Sequence, residues 1–528
     1  MNSPRINNAQ SMFFVYGPPG SGKSSTGRLL AQALDVPFWD VDAELEARSR
    51  MSIPKIFAKY GEAGFRKRER KVLERLLSHS EGVISLGGGA LLDTASRAHV
   101  EALGPVVCLQ AGLETLLSRL DVSDEQRPLL DGDLRQRLED LLAVRQEHYA
   151  SFPLNLETDG LTSTEIAWQA QVRLGAFHVR GMGSGYDVRV QPGGLARLGE
   201  MLVSRGLRGP VVIVSDTNVA PLYTAPVIES LSKIGLTAHL VIIPPGEKHK
   251  TQETVATLWE AFARARLDRG STVVALGGGV VGDLAGFAAA TFLRGITWVA
   301  VPTTLLAMVD ASLGGKTGFD LPSGKNLVGA FHAPRLVLAD PRVLDSLPED
   351  ELRSGLAEVV KHGVISDPSL FALCAQGWEA VQADLDALVR HAMAVKVRVI
   401  QIDPYEGGLR AALNLGHTLG HAVEQASSYS IRHGEAVSIG MVAAARMSER
   451  LELGQSGLAE EIAAVLQGLG LPTEVPASLD LASIQQYMGM DKKRAAGKVR
   501  FVLPLRVGEV KTGLETEGSR QTFELLIH

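Results

Sequence analysis

Cysteine is scarce in this sequence, which holds two in 528 residues, Cys108 and Cys374. The two lie far apart and show neither metal-ligand nor disulfide spacing, so the pattern excludes a disulfide scaffold and a cysteine-bound metal cluster. No charge-free apolar stretch is long enough to span a membrane. The N-terminal stretch also lacks the apolar segment of a signal peptide, and we therefore expect a cytoplasmic protein with no membrane partner.

An excess of basic charge is missing as well. The formal net charge is −6, so the chain has no basic surface suited to nucleic acid, which is not expected as a partner. The chain is nevertheless long, because 528 residues exceed the roughly 250 to 300 that one hydrophobic core can serve. Two or three domains are therefore expected.

Apolar runs and helical patterns divide the chain. Residues 1–173 contain the apolar runs MFFVY, GVISL and PVVCLQ between helical segments, which predict a parallel sheet with helices on both faces. The Gly-rich residues 174–185 are predicted to be a linker. Four further apolar runs, HLVIIP among them, predict an α/β domain of buried strands over 186–345, and long helical patterns predict a mainly α-helical domain over 346–528.

The first domain carries a Walker A pattern between a predicted strand and a predicted helix. The residues predicted to bind ATP are Gly17, Gly20, Gly22, Lys23, Ser24 and Ser25. Glycines let backbone N–H groups wrap the phosphates, Lys23 reaches the β and γ oxygens, and Ser24 can ligate Mg²⁺. The pattern indicates a site for ATP and Mg²⁺ but leaves the phosphate acceptor open.

Downstream motifs concern the acceptor. They are Asp40-Val-Asp42, Phe65-Arg66 with Glu69, Gly87-Gly88-Gly89, and Arg127-Pro128-Leu129-Leu130 with Arg145. With these motifs the sequence resembles shikimate kinase over residues 12–172, a P-loop fold of the nucleoside-monophosphate-kinase type. The resemblance implies that Asp40 helps to hold Mg²⁺, and that Asp42 binds acceptor hydroxyls and takes the proton of the attacking hydroxyl.

The same resemblance implies a clamp for the shikimate carboxylate. Arg66 and Arg145 would hold it beside backbone donors of the glycine triplet, since guanidinium forks match a planar carboxylate. Arg127 would swing in on a lid and neutralise charge on the transferred phosphoryl group. Two departures from the family pattern are the missing glycine in ARSRMSIPKIF and the short lid segment VSDEQ.

Other interpretations of these residues stay open. Asp40 and Asp42 could cap the next helix, and Arg66 lies in the charged run FRKRERK, which is typical of a solvated face. A kinase of the gluconate type is the rival activity, and the paired arginines disfavour it. The kinase half could also survive as a regulatory module that binds ligand without turnover, against which the intact Lys23 and Arg127 argue.

A glycine-rich fingerprint indicates a nucleotide site in the second domain. Gly277, Gly279 and Gly282 follow the predicted strand STVVAL with the spacing of a dinucleotide-binding loop. A Rossmann site would also place an acidic ribose ligand about 20 residues further on. The segment ITWVAVP supplies none, so an NAD site here would follow a different plan.

A metal site is indicated in the third domain. Asn414, His417 and His421 fall at i, i+3 and i+7, which places them on one face of a helix, and His433 follows in a loop-like segment. Glu358 lies on another helical stretch. A glutamate and two or three histidines without cysteine suit a catalytic Zn²⁺ with an open position, and histidines that face solvent or the core are the alternative.

The remaining motifs form a dense series that includes PPGEKHK, GGGVVGD, VDASLGGKTG, GLAEVVKHG and LNLGHTLGHAVE. With them the sequence resembles 3-dehydroquinate synthase from about residue 186 to the C-terminus. The resemblance implies a Rossmann-like α/β NAD domain followed by a mainly helical domain, with Glu358, His417 and His433 as ligands of Zn²⁺ or Co²⁺.

The resemblance also implies two further residue sets. The residues implied for NAD binding are Asp216, Glu247, Lys250, Gly278, Gly279, Asp283, Thr303, Thr304, Asp310 and Lys325. Substrate binding would involve Arg294, Asn326 and Lys396, and both binding and catalysis would involve Lys316, Lys361, Arg410, Asn414 and His421. Each cation taken alone is typical of a surface salt bridge, which is the alternative.

Together the two resemblances imply a bifunctional enzyme of the shikimate pathway. The first half would phosphorylate shikimate to shikimate 3-phosphate. The second half would convert 3-deoxy-arabino-heptulosonate 7-phosphate to 3-dehydroquinate with release of phosphate, using NAD⁺ without net oxidation, as a homodimer formed through this half. The rival is a polyol dehydrogenase, which would lack the cations Lys316, Lys361 and Arg410. Phe292 and Ala311 depart from the tyrosine and serine usual in the family.

Overall fold

The computed structural model of the chain describes residues 12–121, 133–494 and 499–516, together with 523, 524 and 526. The chain forms two compact units, one of residues up to 178 with 200–206, the other of residues 179–199 with those from 207 onward. The boundary at residue 178 lies inside the predicted linker. That linker is not irregular throughout, because Ala176–Val179 form a strand in which three of four residues are buried.

The smaller unit alternates strands and helices. In chain order they are β1 (Met12–Tyr16), α1 (Lys23–Leu34), β2 (Phe38–Asp40), α2 (Val41–Ser49), α3 (Ile53–Leu76), β3 (Gly82–Ser85), α4 (Thr94–Leu103), β4 (Val106–Gln110), α5 (Leu113–Asp121), α6 (Leu134–Ala150), β5 (Leu154–Glu157) and α7 (Ser163–Leu174), followed by β6 (Ala176–Val179). Strands β1 to β5 form a parallel sheet in the order β2-β3-β1-β4-β5.

The central strand β1 shows why this sheet is covered on both faces. Successive side chains of a strand point to opposite faces, and here Phe14 and Tyr16 belong to one apolar cluster while Phe13 and Val15 belong to another. The parallel sheet with helices on both faces is therefore confirmed. Because the strands are parallel, β1, β2 and β3 all end at the same edge of the sheet, which is where ligands bind in open α/β sheets.

From residue 186 onward the chain is first α/β and then mainly helical. The elements are β7 (Tyr186–Val190), α8 (Leu198–Ser204), β8 (Val211–Asp216), α9 (Ala220–Lys233), β9 (Ala238–Ile243), α10 (Gln252–Arg264), β10 (Thr272–Gly277), α11 (Gly279–Thr291), β11 (Thr297–Pro302), β12 (Lys316–Leu321), β13 (Gly324–Phe331), β14 (Leu336–Ala339), α12 (Glu349–Ser366), α13 (Pro368–Cys374), α14 (Trp378–Ala383), α15 (Leu385–Ile402), α16 (His417–Ala426), α17 (His433–Arg450), α18 (Leu458–Gly468), α19 (Leu481–Arg494), β15 (Val499–Arg506) and β16 (Glu509–Thr516).

Parallel strands of this region run in the order β7-β14-β11-β10-β8-β9, and two antiparallel hairpins, β12–β13 and β15–β16, lie outside that sheet. The expectation that HLVIIP is a buried strand is wrong, because Leu240 and Ile242 of β9 are 40% and 50% exposed. Strand β9 lies last in the strand order, and an edge strand has less cover than a central one. Among the helices that the structure describes, none is long and apolar enough to cross a membrane.

Candidate active sites

The loop between β1 and α1 has the shape of a phosphate-binding loop. Gly17, Gly20 and Gly22 have φ angles of 139°, 80° and 88°, which residues with a Cβ rarely adopt. Gly22 caps α1, so Lys23 and Ser24 lie in the first helical turn, where backbone N–H groups and the helix dipole attract phosphate. The Lys23 ammonium folds back over the loop and donates to the carbonyl of Pro18 at 2.8 Å.

Asp40, the last residue of β2, accepts hydrogen bonds with both carboxylate oxygens. Its Oδ1 accepts from the backbone N–H groups of Asp42 and Ala43 at 3.0 and 3.2 Å, so Asp40 does cap α2. Its Oδ2 accepts from Ser24 Oγ at 2.6 Å. The capping role and a metal-binding role are therefore compatible, because the hydroxyl and carboxylate oxygens that Mg²⁺ prefers lie side by side.

The predicted acceptor residues meet at the glycine triplet Gly87–Gly89, which follows β3. A Cβ on the third glycine would lie 2.5 Å from Arg66 Nη2, and a Cβ on the first would lie 3.3 Å from Asp42 Oδ1. The carbonyl oxygen of the second glycine accepts from Arg145 Nη1 at 3.3 Å. The structure thus brings both arginines and Asp42 to one place, and a Cβ on the third glycine would collide with the Arg66 guanidinium.

Glu69 orients one of these arginines. Its Oε2 accepts from Arg66 Nη1 at 2.7 Å, and the Arg66 side chain is 23% exposed, so the solvated-face interpretation of Arg66 is wrong. Burial raises the pKa of Glu69, and the Arg66 guanidinium opposes that rise. Sequence reasoning gave Glu69 no role, although its i, i+3 spacing from Arg66 was a usable signal.

Two tyrosines that sequence reasoning missed also hold the triplet. The hydroxyls of Tyr16 and Tyr149 donate to the carbonyl of Gly88 at 3.1 and 2.7 Å. Both side chains are buried, so this peptide group is firmly oriented. Of the other predicted residues, Ser25 is exposed in the first turn of α1, and Arg127 lies outside the residues that the structure describes.

In the larger unit, the predicted NAD residues begin at the carboxyl edge of the parallel sheet. Strand β10 pairs in parallel with both β8 and β11, so their ends lie side by side. Asp216 ends β8, Gly278 and Gly279 follow β10, and Thr303 and Thr304 follow β11. Helix α11 begins at the second of these glycines, so a helix N-terminus able to bind a pyrophosphate lies at this edge.

Lys250 contacts three other predicted residues. Its Nζ lies 2.7 Å from Asp283 Oδ2 and 3.9 Å from Glu247 Oε1, and it donates to Asn326 Oδ1 at 2.6 Å. Burial alone would lower the pKa of Lys250, but the two carboxylates outweigh it and raise the pKa. Lys325 lies 3.6 Å from Glu247 Oε1. Asn326, predicted for the substrate, is thus joined to the predicted NAD residues.

The predicted metal ligands form one group. Single donor atoms of Glu358, His417 and His433 all lie within 4.8 Å of one another. Glu358 Oε1 lies 3.6 Å from Nε2 of His417 and 3.5 Å from Nε2 of His433. This oxygen is buried and accepts no hydrogen bond from any residue that the structure describes. A buried carboxylate oxygen facing two imidazole nitrogens is costly without a cation, so the donor set fits Zn²⁺ or Co²⁺.

The surroundings of this group control its charges. Burial, together with the nearby Lys361 ammonium, lowers the pKa of His417 to about 3. Burial would also lower the pKa of His433, but Glu358 and Glu424 beside it raise that pKa to about 10. Burial would raise the pKa of Glu358, and Lys361 holds it well below its usual range. His417 Nδ1 donates to a backbone carbonyl at 3.1 Å, which leaves its Nε2 lone pair for a metal.

The expected helical face of Asn414, His417 and His421 is only partly correct. Helix α16 begins at His417, and the His421 ring lies one turn on, with ring centroids 5.2 Å apart. Asn414 instead ends a short 3₁₀ turn, and Gly416, at φ 80°, separates it from the helix. A Cβ on Gly416 would lie 2.7 Å from the backbone of α17, which explains the break. His433 begins α17 and is not a loop residue.

Three predicted substrate cations, Lys361, Lys396 and Arg410, are buried, so a surface salt bridge does not explain them. Lys361 lies one turn after Glu358 on α12 and forms an ion pair with it. Lys396 on α15 donates to Asp310 Oδ1 at 2.6 Å, and burial lowers the pKa of Lys396 while Asp310 opposes that change. Asp310, predicted for NAD, thus lies against a predicted substrate residue, in a group with Glu358.

Glu406, which sequence reasoning missed, pairs with two predicted substrate cations. Its carboxylate forms an ion pair with Lys316 and lies 3.5 Å from Nε of the buried Arg410. The i, i+4 spacing from Arg410 was the available signal. Arg294 is exposed and makes no hydrogen bond or ion pair with a described residue, so its part in substrate binding stays a prediction.

These sites define a class of protein. The chain joins a P-loop kinase for an anionic acceptor to an enzyme that has a dinucleotide-binding site at a sheet edge and a catalytic metal site. A family model of shikimate kinase matches residues 19–173, and models of the N-terminal and C-terminal parts of 3-dehydroquinate synthase match residues 240–354 and 355–494. The 3-dehydroquinate synthases of Nostoc punctiforme and Symbiobacterium thermophilum are 46% and 48% identical to this chain over 332 residues. Each alignment covers 62% of this chain and 92% of the relative.

Solved structures agree. The structure of 2-deoxy-scyllo-inosose synthase complexed with carbaglucose-6-phosphate, NAD⁺ and Co²⁺ is 28% identical, with a TM-score of 0.61 over 66% of this chain and 99% of that one. The structure of 2-epi-5-epi-valiolone synthase from Streptomyces hygroscopicus, with NAD⁺ and Zn²⁺ bound, is 29% identical, with a TM-score of 0.58 over 64% of this chain and 94% of that one. The chain belongs to the 3-dehydroquinate synthase family, with a shikimate kinase domain ahead of the synthase unit. The expected fold class and the expected bifunctional shikimate-pathway enzyme are confirmed.

Proposed function

We propose that the larger unit converts 3-deoxy-arabino-heptulosonate 7-phosphate to 3-dehydroquinate and phosphate, and that the smaller unit transfers phosphate from ATP to shikimate. One observation carries the synthase proposal: the buried ammonium of Lys361 forms an ion pair with Glu358, one of the metal donors, and so supplies a cation beside the metal group for an anionic substrate. Identity of 46% to synthases with this product, against 28% to 2-deoxy-scyllo-inosose synthase, favours this reaction over that relative's.

In the kinase, the chain's own residues position ATP and shikimate and neutralise the charge of the phosphates. Lys23 and the first turn of α1 hold the phosphates of ATP, and Ser24 with Asp40 would hold Mg²⁺, which supplies further charge neutralisation when bound. Arg66, oriented by its carboxylate partner, holds the shikimate carboxylate. Asp42 takes the proton of the attacking hydroxyl from its place beside the glycine triplet.

Gly89→Ala tests the acceptor site. The added methyl would stand 2.5 Å from Arg66 Nη2, so the guanidinium must move away from its carboxylate partner. Losing one charge-assisted contact costs about 1.5 to 3 kcal/mol, and we expect the KM for shikimate to rise roughly 10- to 100-fold. Steady-state kinetics should show the KM for ATP within about twofold of the original. An unchanged KM for shikimate would contradict the carboxylate clamp.

In the synthase, Glu358, His417 and His433 would hold Zn²⁺ or Co²⁺, and NAD⁺ would lie along the edge formed by β8, β10 and β11. The ion would supply polarisation of a substrate hydroxyl, and NAD⁺ would supply the acceptor for a hydride that is later returned. Lys361 and Arg410 bind anionic groups of the substrate. His421, which is exposed and lies one turn from His417, would bind the substrate phosphate or transfer a proton.

The use of NAD distinguishes this reaction from that of a polyol dehydrogenase. The hydride is removed and returned within one binding event, so no NADH should accumulate. We expect stoichiometric phosphate release from the heptulosonate phosphate with substoichiometric NAD⁺ and no steady rise in absorbance at the NADH wavelength. Continuous NADH production that matches substrate consumption would overturn the synthase proposal.

Several finer points are part of the proposal. Cys108 and Cys374 are free and buried, which suits the reducing cytoplasm. The synthase half is proposed to form a homodimer, which light scattering can test by the mass of the particle. The domain limits 1–173, 186–345 and 346–528 and the absence of nucleic-acid and membrane partners stay predictions.

A further inference from the structure

One buried carboxylate near the metal donors has no part in the chemistry above. Glu424 lies on α16, 7% exposed, and its Oε2 lies 3.4 Å from Nδ1 of His433. The other nitrogen of that ring, Nε2, faces Glu358. The Glu424 Oε1 lies 4.0 Å from the Lys325 ammonium, which stands 4.2 Å above the ring centroid of Tyr429. Glu424 thus lies between a predicted ligand and a cation.

An imidazole binds a metal through one nitrogen only if the proton is on the other. A carboxylate that accepts the remaining N–H selects that tautomer, fixes the ring plane and makes the ligating nitrogen a better donor. The position of Glu424 meets this requirement for His433. The Lys325 ammonium reduces the cost of burying the carboxylate.

We propose that Glu424 is a positioning residue of the metal site, which holds His433 through Nδ1 and directs Nε2 toward the ion. The inference rests on the ligand set of the proposed function. The alternative is a second cation site, because single donor atoms of His421, Glu424 and His433 also lie within 4.8 Å of one another. The Lys325 ammonium beside Glu424 and the direction of Nε2 favour the positioning role.

The test is zinc affinity, measured without any substrate. Glu424→Gln keeps the size of the side chain and removes its charge, and Glu449→Gln is the matched control. The Glu449 carboxylate accepts a hydrogen bond from the backbone N–H of Ala459 at 2.9 Å. Glu449 lies on the same helix as His433, about 24 Å further along α17. Competition with a chromophoric chelator should show zinc binding roughly 10- to 100-fold weaker in Glu424→Gln and unchanged in the control. The visible spectrum of the Co²⁺ form should also shift in Glu424→Gln alone.

The outcomes separate the possibilities. Original zinc affinity and an original cobalt spectrum in folded Glu424→Gln would overturn the inference. A stoichiometry of two bound zinc ions per chain in the original protein and one in Glu424→Gln would overturn the inference as well, because Glu424 would then be a metal ligand. If Glu424→Gln does not fold, Glu424→Asp keeps the charge, and its affinity should fall less than tenfold; a larger loss in this folded variant counts against the proposal. Tight zinc binding without phosphate release would refute the proposed reaction and not this inference.

Discussion

Lys23→Ala should abolish the kinase reaction and leave the synthase reaction within about threefold of its original rate. The Lys23 ammonium lies over the phosphate loop and donates to the carbonyl of Pro18. A Walker A lysine at this position reaches the β and γ oxygens of bound ATP. Removal of one transition-state cation in phosphoryl transfer costs roughly 1,000-fold or more in kcat. ADP formation with shikimate measures the first activity, and phosphate release from the heptulosonate phosphate measures the second.

Lys59→Ala is the matched control for this variant. Lys59 is an exposed lysine of the same unit, with its ammonium 5.2 Å from the Tyr60 ring, and its loss should leave both activities intact. A folded Lys23→Ala protein that retains kinase activity would contradict the site. Loss of both activities in that folded variant would contradict the independence of the two sites.

Metal removal should eliminate the synthase reaction, and Zn²⁺ or Co²⁺ should restore it. In His417→Ala we expect roughly 1,000-fold slower phosphate release, because the ion would supply several kcal/mol of transition-state stabilisation. Ordinary metal concentrations should not restore the rate, because one of the three metal donors is missing. The kinase should survive a zinc-selective chelator when Mg²⁺ is present. Phosphate release and ADP formation, measured on the same chelated sample, check both statements.

His391→Ala controls for the loss of a histidine in the same region. His391 is partly buried, its Nδ1 lies 3.1 Å from Asp367 Oδ2, and it is not a member of the donor group. It should keep its synthase activity and respond to chelation as the original protein does. Full activity in a demonstrably metal-free sample would refute the assignment of Glu358 and His417 as ligands.

Local sequence was sufficient where a site is built from neighbouring residues. The P-loop could be predicted because a strand, a glycine turn and a helix N-terminus follow one another directly. The pair of Glu358 and Lys361 could be predicted from one turn of a helix, and α12 places them as expected. Glu69 and Glu424 carried a similar signal, at i+3 from Arg66 and i+3 from His421, but no motif drew attention to them.

Other features depended on packing between distant elements. The same period that predicted one face for Asn414 and His417 could not show that Gly416 lies against α17 and breaks the helix. The run HLVIIP was apolar enough for a buried strand, yet its place at the sheet edge left it exposed. The strand within the predicted linker formed despite its glycine-rich surroundings.

The sequence by itself determined the number of sites, their phosphate loop and the types of ligand atom, because composition and short-range periodicity limit what each segment can form. The tertiary structure decided which atoms face each other. Glu358 on α12 and His433 on α17 are far apart in the chain, and contact between these two helices brings their donor atoms within reach. Backbone preferences act over a few residues, whereas burial is decided by the whole fold, so the partners of Lys250, Arg66 and His433 required the structure.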